Sequence, residues 1–308
     1  MGARDRLNER LGSGEVVILD GGMGTELQAR GVPMSNAAWS GLANLDHSDI
    51  VKQIHEDNIR AGADVVIANT FATSRLMLRA AGVEDRFEEA NKRAVEAAIA
   101  ARDATGRPDV AVAGSISDGV AGVADDFTDQ VPLEGRALRD AFSEHAQTLA
   151  DAGADLLVLE MMTSPSYGVV AVETALETGL PVWLGVSAGL SLEGTLCALG
   201  GEDGSFEALL AALVRPELAA VTVMHTSVEA TTPALEAVRK AWAGPLGAYP
   251  ESGSWIPPNW VFNDFTPEAF ASAALGWVRD GGVRIVGGCC GMGPRFIAAL
   301  HDALVPNS

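Results

Sequence analysis

Short apolar, β-branched runs alternate with longer amphipathic segments along almost the whole chain, and one unit repeats. Runs at 16–20, 65–69, 110–116, 156–160, 182–187, 220–225, 246–250 and 283–288 read as buried strands. Segments at 50–61, 88–104, 135–152, 167–178, 206–213, 229–241, 267–279 and 294–304 carry the three- and four-residue spacing of amphipathic helices. The turn into several strands recurs as Ala61-Gly-Ala-Asp64, Ala152-Gly-Ala-Asp155 and Asp280-Gly-Gly-Val283. A helix that stops at glycine and enters a buried parallel strand gives this pattern.

Eight strand–helix units within 308 residues, with no Pro- or Ser-rich linker, predict an α/β fold. The expected form is a single-domain (β/α)8 TIM barrel over residues 1–308. A doubly wound open sheet fits less well. Gly21-Gly-Met-Gly24 follows the first run, but the spacing of a dinucleotide-binding loop does not continue. Extra length falls after strands one (28–49), three (117–134), five (188–205) and seven (251–266). All four insertions lie on the rim where barrels bind ligands, so they are expected to wall and roof one cavity.

Composition narrows the partners. The chain has 21 Lys+Arg against 41 Asp+Glu, a net charge of −20, which disfavours nucleic acid and anionic lipid. No run approaches the roughly 20 apolar residues of a membrane helix, and residues 1–10 are charged, unlike a signal sequence. The expected location is the cytoplasm, and self-association into a homo-oligomer is left open. Three cysteines, two of them adjacent, make a poor disulfide framework and read as free thiols.

In a barrel, chemistry belongs on the residues that close the strands. Here these are Asp20, Asn69, Ser115, Glu160, Ser187, His225, Tyr249, Cys289 and Cys290. A polar strand end can simply cap the next helix. That reading strains at Glu160 after Leu-Leu-Val-Leu and at His225 after Val-Thr-Val-Met. Strands six and eight bring His225 towards Cys289 and Cys290, which predicts a Cys2His zinc site with an open fourth position. Cys197, on the loop after strand five, competes with His225 as third ligand. A plain hydrogen-bonded core histidine is the bland alternative for His225. An open zinc position can activate water or hold a thiol as thiolate, and a sulfur-rich ligand set favours the second.

These residues, with Leu19-Asp-Gly-Gly-Met-Gly-Thr-Glu26, Trp39, Leu42-Ala-Asn-Leu-Asp46, Ala68-Asn-Thr-Phe71, Tyr249-Pro-Glu-Ser-Gly253 and Gly287-Gly-Cys-Cys-Gly291, resemble the zinc-dependent homocysteine S-methyltransferases. Betaine-homocysteine methyltransferase and the homocysteine domain of methionine synthase are relatives of that family. The resemblance runs through almost the whole chain. It implies zinc on the paired cysteines, and Asp20 and Glu160 on the homocysteine amino group with help from the backbone at Gly21 and Gly22. It further implies attack of the thiolate on a small sulfonium or betaine-type methyl donor, S-methylmethionine foremost. The substrate-facing set then comprises Asp20, Gly21, Gly22, Trp39, Asn69, Phe71, Ser115, Glu160, Ser187 and Tyr249. Trp255 and Trp260 join the donor wall or serve as loop packing.

One departure stands out. The family's third zinc ligand is a cysteine in a Gly-Val-Asn-Cys pattern, and the aligned stretch here is Thr222-Val-Met-His225. Imidazole in place of thiolate removes one negative charge and leaves the bound substrate sulfur less electron-rich. A more reactive donor, another thiol acceptor, a zinc hydrolase with Glu160 as base, and a non-catalytic amino-acid-binding relative are the alternatives this leaves.

Overall fold

The computed structural model describes residues 2–120, 132–191, 193–200 and 205–305. Eight parallel strands form one sheet: β1 (Val17–Ile18), β2 (Val65–Ile67), β3 (Ala111–Ser117), β4 (Leu156–Met162), β5 (Val182–Val186), β6 (Ala220–Ser227), β7 (Leu246–Glu251) and β8 (Ile285–Val286). The strands lie in the order β1-β8-β7-β6-β5-β4-β3-β2. A parallel bridge between Leu19 and Val65, with Asp20 N donating to Val65 O at 3.0 Å, joins β1 to β2 and closes the barrel. This is the (β/α)8 fold expected from the alternation, and each anticipated helix is present within two residues of its expected start.

Side-chain parity explains the layers. Val17 and Leu19, Ala111 and Ala113, and Leu156 and Val158 fill the barrel interior. Ile18, Val112, Leu157 and Leu159 point outward and pack beneath the helices. Alternation with period two on strands covered on both faces produces both cores from one apolar run.

A helix not anticipated from the sequence, Ala3–Ser13, stoppers the barrel's N-terminal end. Its buried residues Ala3, Leu7 and Leu11 recur every four positions and join the interior cluster with Val17 and Ile285. Burying Leu7 and Leu11 contributes about 2 kcal/mol each. Arg10 fastens the helix through Asp64 at 2.7 Å. A short amphipathic stripe among charges is legible only when the face it must cover is known.

At the opposite rim, the insertion at 188–205 builds the hairpin Ala188–Leu190 with Leu196–Ala198. That at 251–266 builds the hairpin Ser254–Ile256 with Asn259–Val261. Most of the 117–134 insertion lies outside the described residues. Among the described residues no helix is long and apolar enough to cross a membrane.

Candidate active site

The strand C-termini and their loops enclose a cavity of about 300 Å³. Asp20, Glu160, His225, Tyr249, Cys289 and Cys290 line it, and no Lys or Arg does so among the described residues. Its character is therefore acidic and sulfur-rich, with aromatic walls.

Two of these side chains reach the cavity for different reasons. Glu160 follows the interior parity of Leu156 and Val158, so its carboxylate faces inward by the ordinary pleat. His225 shares the parity of Val221 and Val223, which pack outward. A regular strand would bury its ring under the helices. Instead the β6–β7 register shifts between Met224 and Ser227, and His225 takes φ +41°. The irregularity turns the ring to the cavity. The same device recurs on β4, where the register shifts between Leu159 and Met162 and Met161 takes φ +55°. Trp39, at φ +36°, is the third non-glycine residue with positive φ among those described, and all three line this cavity. Left-handed backbone at bulky residues is costly and concentrates where geometry serves a site.

The cysteines sit on a loop bonded to its neighbours through the backbone. Cys289 N donates to Pro250 O at 2.8 Å, Ser252 N to Cys290 O at 2.9 Å, and Gly22 N to Met292 O at 3.0 Å. Gly291, at φ +80°, lets the loop pass so close that a Cβ there would lie 1.8 Å from Ser252 O. Gly22 packs likewise, its would-be Cβ 2.6 Å from Cys289 O. Held this way, Cys289 Sγ lies 3.9 Å from Cys290 Sγ and 3.7 Å from His225 Nδ1. One ligand atom from each of His225, Cys289 and Cys290 falls within 4.8 Å of the others, a group able to hold a metal ion.

Electrostatics distinguish the members. The Cys290 thiol hydrogen-bonds to Cys289 and, with His225 beside it, brings the Cys289 thiol down to about 5 against the effect of burial. Burial pulls the His225 imidazole down, but Cys289 and Glu251 outweigh it and push it up to about 10. In the same cavity, burial and the Cys289 charge raise Glu160 to about 7, opposed by its hydrogen bond from Ser115. Burial raises Asp20 well above the usual carboxylate range, despite the bond it accepts from Ile67 N at 2.9 Å. At 2% and 7% exposed, Asp20 and Glu160 are two enclosed carboxyl groups with no Lys or Arg in the cavity lining among the described residues, and the His55 imidazole 3.9 Å from Asp20 is held down to about 3 by burial. Such a pair awaits a cation.

The other residues singled out from the sequence divide into three groups. Gly21, Gly22, Trp39, Phe71 and Tyr249 line the cavity, as do Trp255 and Trp260. Trp39 meets Phe71 at 6.2 Å and Trp255 at 5.7 Å, both at 80°, so the rings form a corner. Asn69 lines it too, but its amide is engaged with Ser40 and Asn44, each at 2.9 Å. It anchors the loop that carries Trp39. Ser115 and Ser187 lie behind the lining. Ser115 bonds Glu160, and Ser187 Oγ contacts Met224 Sδ at 3.2 Å. Cys197 is turned into its own hairpin, 3.5 Å from Gly189 O, and is absent from the metal-binding group. Sequence reasoning missed Glu251, whose Oε2 stands 3.0 Å from His225 Nδ1. Tyr249 looked like the end of β7, yet the interior parity continues to Glu251.

The family model described as homocysteine S-methyltransferase matches residues 17–304. Homocysteine S-methyltransferase 4 of Zea mays is 28% identical over 95% of this chain and 90% of its own length. The S-methylmethionine–homocysteine S-methyltransferase BHMT2 of Pongo abelii is 27% identical, over 99% of this chain and 83% of its own. Among solved structures, the metallated form of the homocysteine methyltransferase MmuM from Escherichia coli aligns with a TM-score of 0.78 at 26% identity, covering 96% of this chain and 98% of that one. With the family match spanning nearly the whole barrel and its rim, the chain belongs to the homocysteine S-methyltransferase family.

Proposed function

We propose that this enzyme moves a methyl group from a small sulfonium donor, S-methylmethionine first among them, to the thiol of homocysteine, with zinc held by His225, Cys289 and Cys290. The observation that carries the reading is one cavity lined by convergent sulfur and nitrogen donors and by two enclosed carboxyl groups, with no Lys or Arg in the lining among the described residues. The donor atoms suit zinc. Their 3.9 and 3.7 Å separations compare with edges of roughly 3.5–3.8 Å in a tetrahedron with Zn–S about 2.3 Å and Zn–N about 2.0 Å. When bound, zinc supplies a Lewis acid that keeps the substrate thiol deprotonated at neutral pH.

The chain's own residues do the rest. Asp20 and Glu160 hold the homocysteine ammonium by charge-assisted hydrogen bonds, and its arrival favours their ionised forms. The amino end and the sulfur end are thus located separately, which orients the sulfur for attack. The corner of Trp39, Phe71 and Trp255 offers π surface to the positive donor and excludes water. In the transfer, the homocysteine sulfur forms a bond to the methyl carbon as the donor S–CH3 bond breaks, and that bond's electron pair neutralises the donor sulfonium. Two molecules of methionine result when the donor is S-methylmethionine.

The test uses zinc-loaded protein with homocysteine and methyl-labelled S-methylmethionine, S-adenosylmethionine or betaine in turn. Label should appear in methionine, with the highest kcat/KM for S-methylmethionine. Label in methanol would favour a hydrolase, and no labelled product from any donor would remove the proposal.

A further inference from the structure

On the reading that Asp20 holds the homocysteine ammonium, we propose that His55 is the positioning residue of that carboxylate. Its Nδ1–H closes onto Asp20 Oδ2 when the ammonium arrives and holds the anion in place for it. His55 is fully buried, and neither ring nitrogen meets a hydrogen-bond partner among the described residues. An imidazole enclosed in this way is unfavourable unless a role compensates for it. Nδ1 stands 3.9 Å from Asp20 Oδ2, about 1 Å beyond hydrogen-bond distance.

The surrounding elements leave only the two side chains free to close that gap. The backbone of Asp20 is pinned on both sides, its N–H donating to Val65 O at 3.0 Å and its carbonyl receiving Gly288 N at 3.1 Å. The helix Ser48–Arg60 buries His55 and Asn58, three residues apart on one face. Asn58 Oδ1 receives Gly21 N at 3.3 Å, which ties the helix to the residue after Asp20. Ile67 N already donates to Asp20 Oδ2 at 2.9 Å, and a carboxylate oxygen can accept a second donor. Both donors then grip Oδ2, which leaves Oδ1 to the ammonium. Burial opposes the ionised form of Asp20, and the charges of Glu160 and Cys289 add to that effect against the bond from Ile67 N. A further donor offsets this opposition. Burial also keeps His55 neutral, so it steadies the anion without cancelling the charge that the substrate must meet. The bond is not made at 3.9 Å, so the ring's polarity adds nothing to folding and its effect appears once substrate draws the pair together.

That dependence on substrate supplies the test. Homocysteine affinity by titration calorimetry, and steady-state kinetics with S-methylmethionine, are measured on the zinc-loaded full chain for the wild type, His55→Asn, His55→Leu and His55→Gln. Asparagine keeps an N–H donor where Nδ1 stands, leucine has the same shape without one, and glutamine carries its donor where Nε2 stands. We expect His55→Leu and His55→Gln to weaken homocysteine binding and raise its KM about 10–100-fold, with a much smaller change in kcat. His55→Asn should recover most of that loss. The des-amino analogue of homocysteine brings no ammonium to Asp20, so as a competitive inhibitor it should give closely similar Ki values across the series. Homocysteine binding by His55→Leu equal to wild type would overturn the proposal. So would His55→Asn impaired as far as His55→Leu, or a des-amino analogue weakened as far as homocysteine. Should His55→Leu fail to fold, judged by its metal-free melting temperature, the contrast between His55→Asn and His55→Gln decides in its place. Asp20→Asn separates the two readings. Homocysteine affinity that survives it overturns the role of Asp20 itself, whereas affinity lost in Asp20→Asn but kept in His55→Leu overturns only that of His55.

Discussion

Cys289 sits in surroundings whose effect on its thiol is directly measurable. The hydrogen bond from Cys290 and the neighbouring His225 hold its thiol well below the value of about 8.5 of a free cysteine. Metal-free protein should therefore alkylate at Cys289 with a pH midpoint well below that of a free cysteine. Replacing His225 by Ala removes the adjacent positive charge and should move that midpoint upward. A midpoint unmoved in His225→Ala would mean that the imidazole does not act on the thiol. Glu160 behaves oppositely. Its folded value of about 7 lies above the ordinary carboxyl value of 4.5, so its neutral form favours the fold. That contribution is present below pH about 4.5 and is lost as pH rises to about 7, on the order of 3 kcal/mol. Glu160→Gln in metal-free protein should flatten this decline in denaturant titrations, and a profile parallel to wild type would argue against a neutral Glu160. Glu160 was legible in the sequence because charge ended an apolar run in regular parity. Glu251 was not, since a proline between Tyr249 and Glu251 made the strand look finished.

At the scale of elements, irregularity does the positioning. The bulges in β4 and β6 and the tight turn at Gly291 give the cavity its convergent side chains. Gly291→Ala should lower both stability and zinc affinity, because φ +80° and the Ser252 carbonyl leave no room for a Cβ; a loss of about 3 kcal/mol or more is expected. Gly31→Ala is the control. It has the same φ with nothing within 4 Å, so only the conformational penalty of about 1–2 kcal/mol applies and zinc binding should persist. Equal stability losses in the two variants would deny the close approach its role. Strand and helix positions were readable from periodicity, since buried parallel strands and amphipathic helices repeat. The bulges were not. No residue type announces a register shift, and parity counted along β6 would have sent His225 outward.

For the whole molecule, the barrel collects residues distant in sequence onto one rim and leaves the rest of the surface acidic. Repetition made the fold visible, and the four insertions marked the ligand end before any geometry was known. What repetition could not show is how the hairpins sit. Cys197 competed as a metal ligand in sequence, and its hairpin holds it against Gly189 instead. Cys197→Ser should accordingly leave zinc stoichiometry unchanged, whereas His225→Ala should lower it; the reverse, read by metal analysis of the purified variants, would move the third ligand to the hairpin. The proposal that the substrate sulfur completes a Cys2His centre is tested most directly by zinc-edge X-ray absorption with and without homocysteine. We expect two sulfur ligands before addition and three after. A sulfur count that homocysteine leaves unchanged would contradict it.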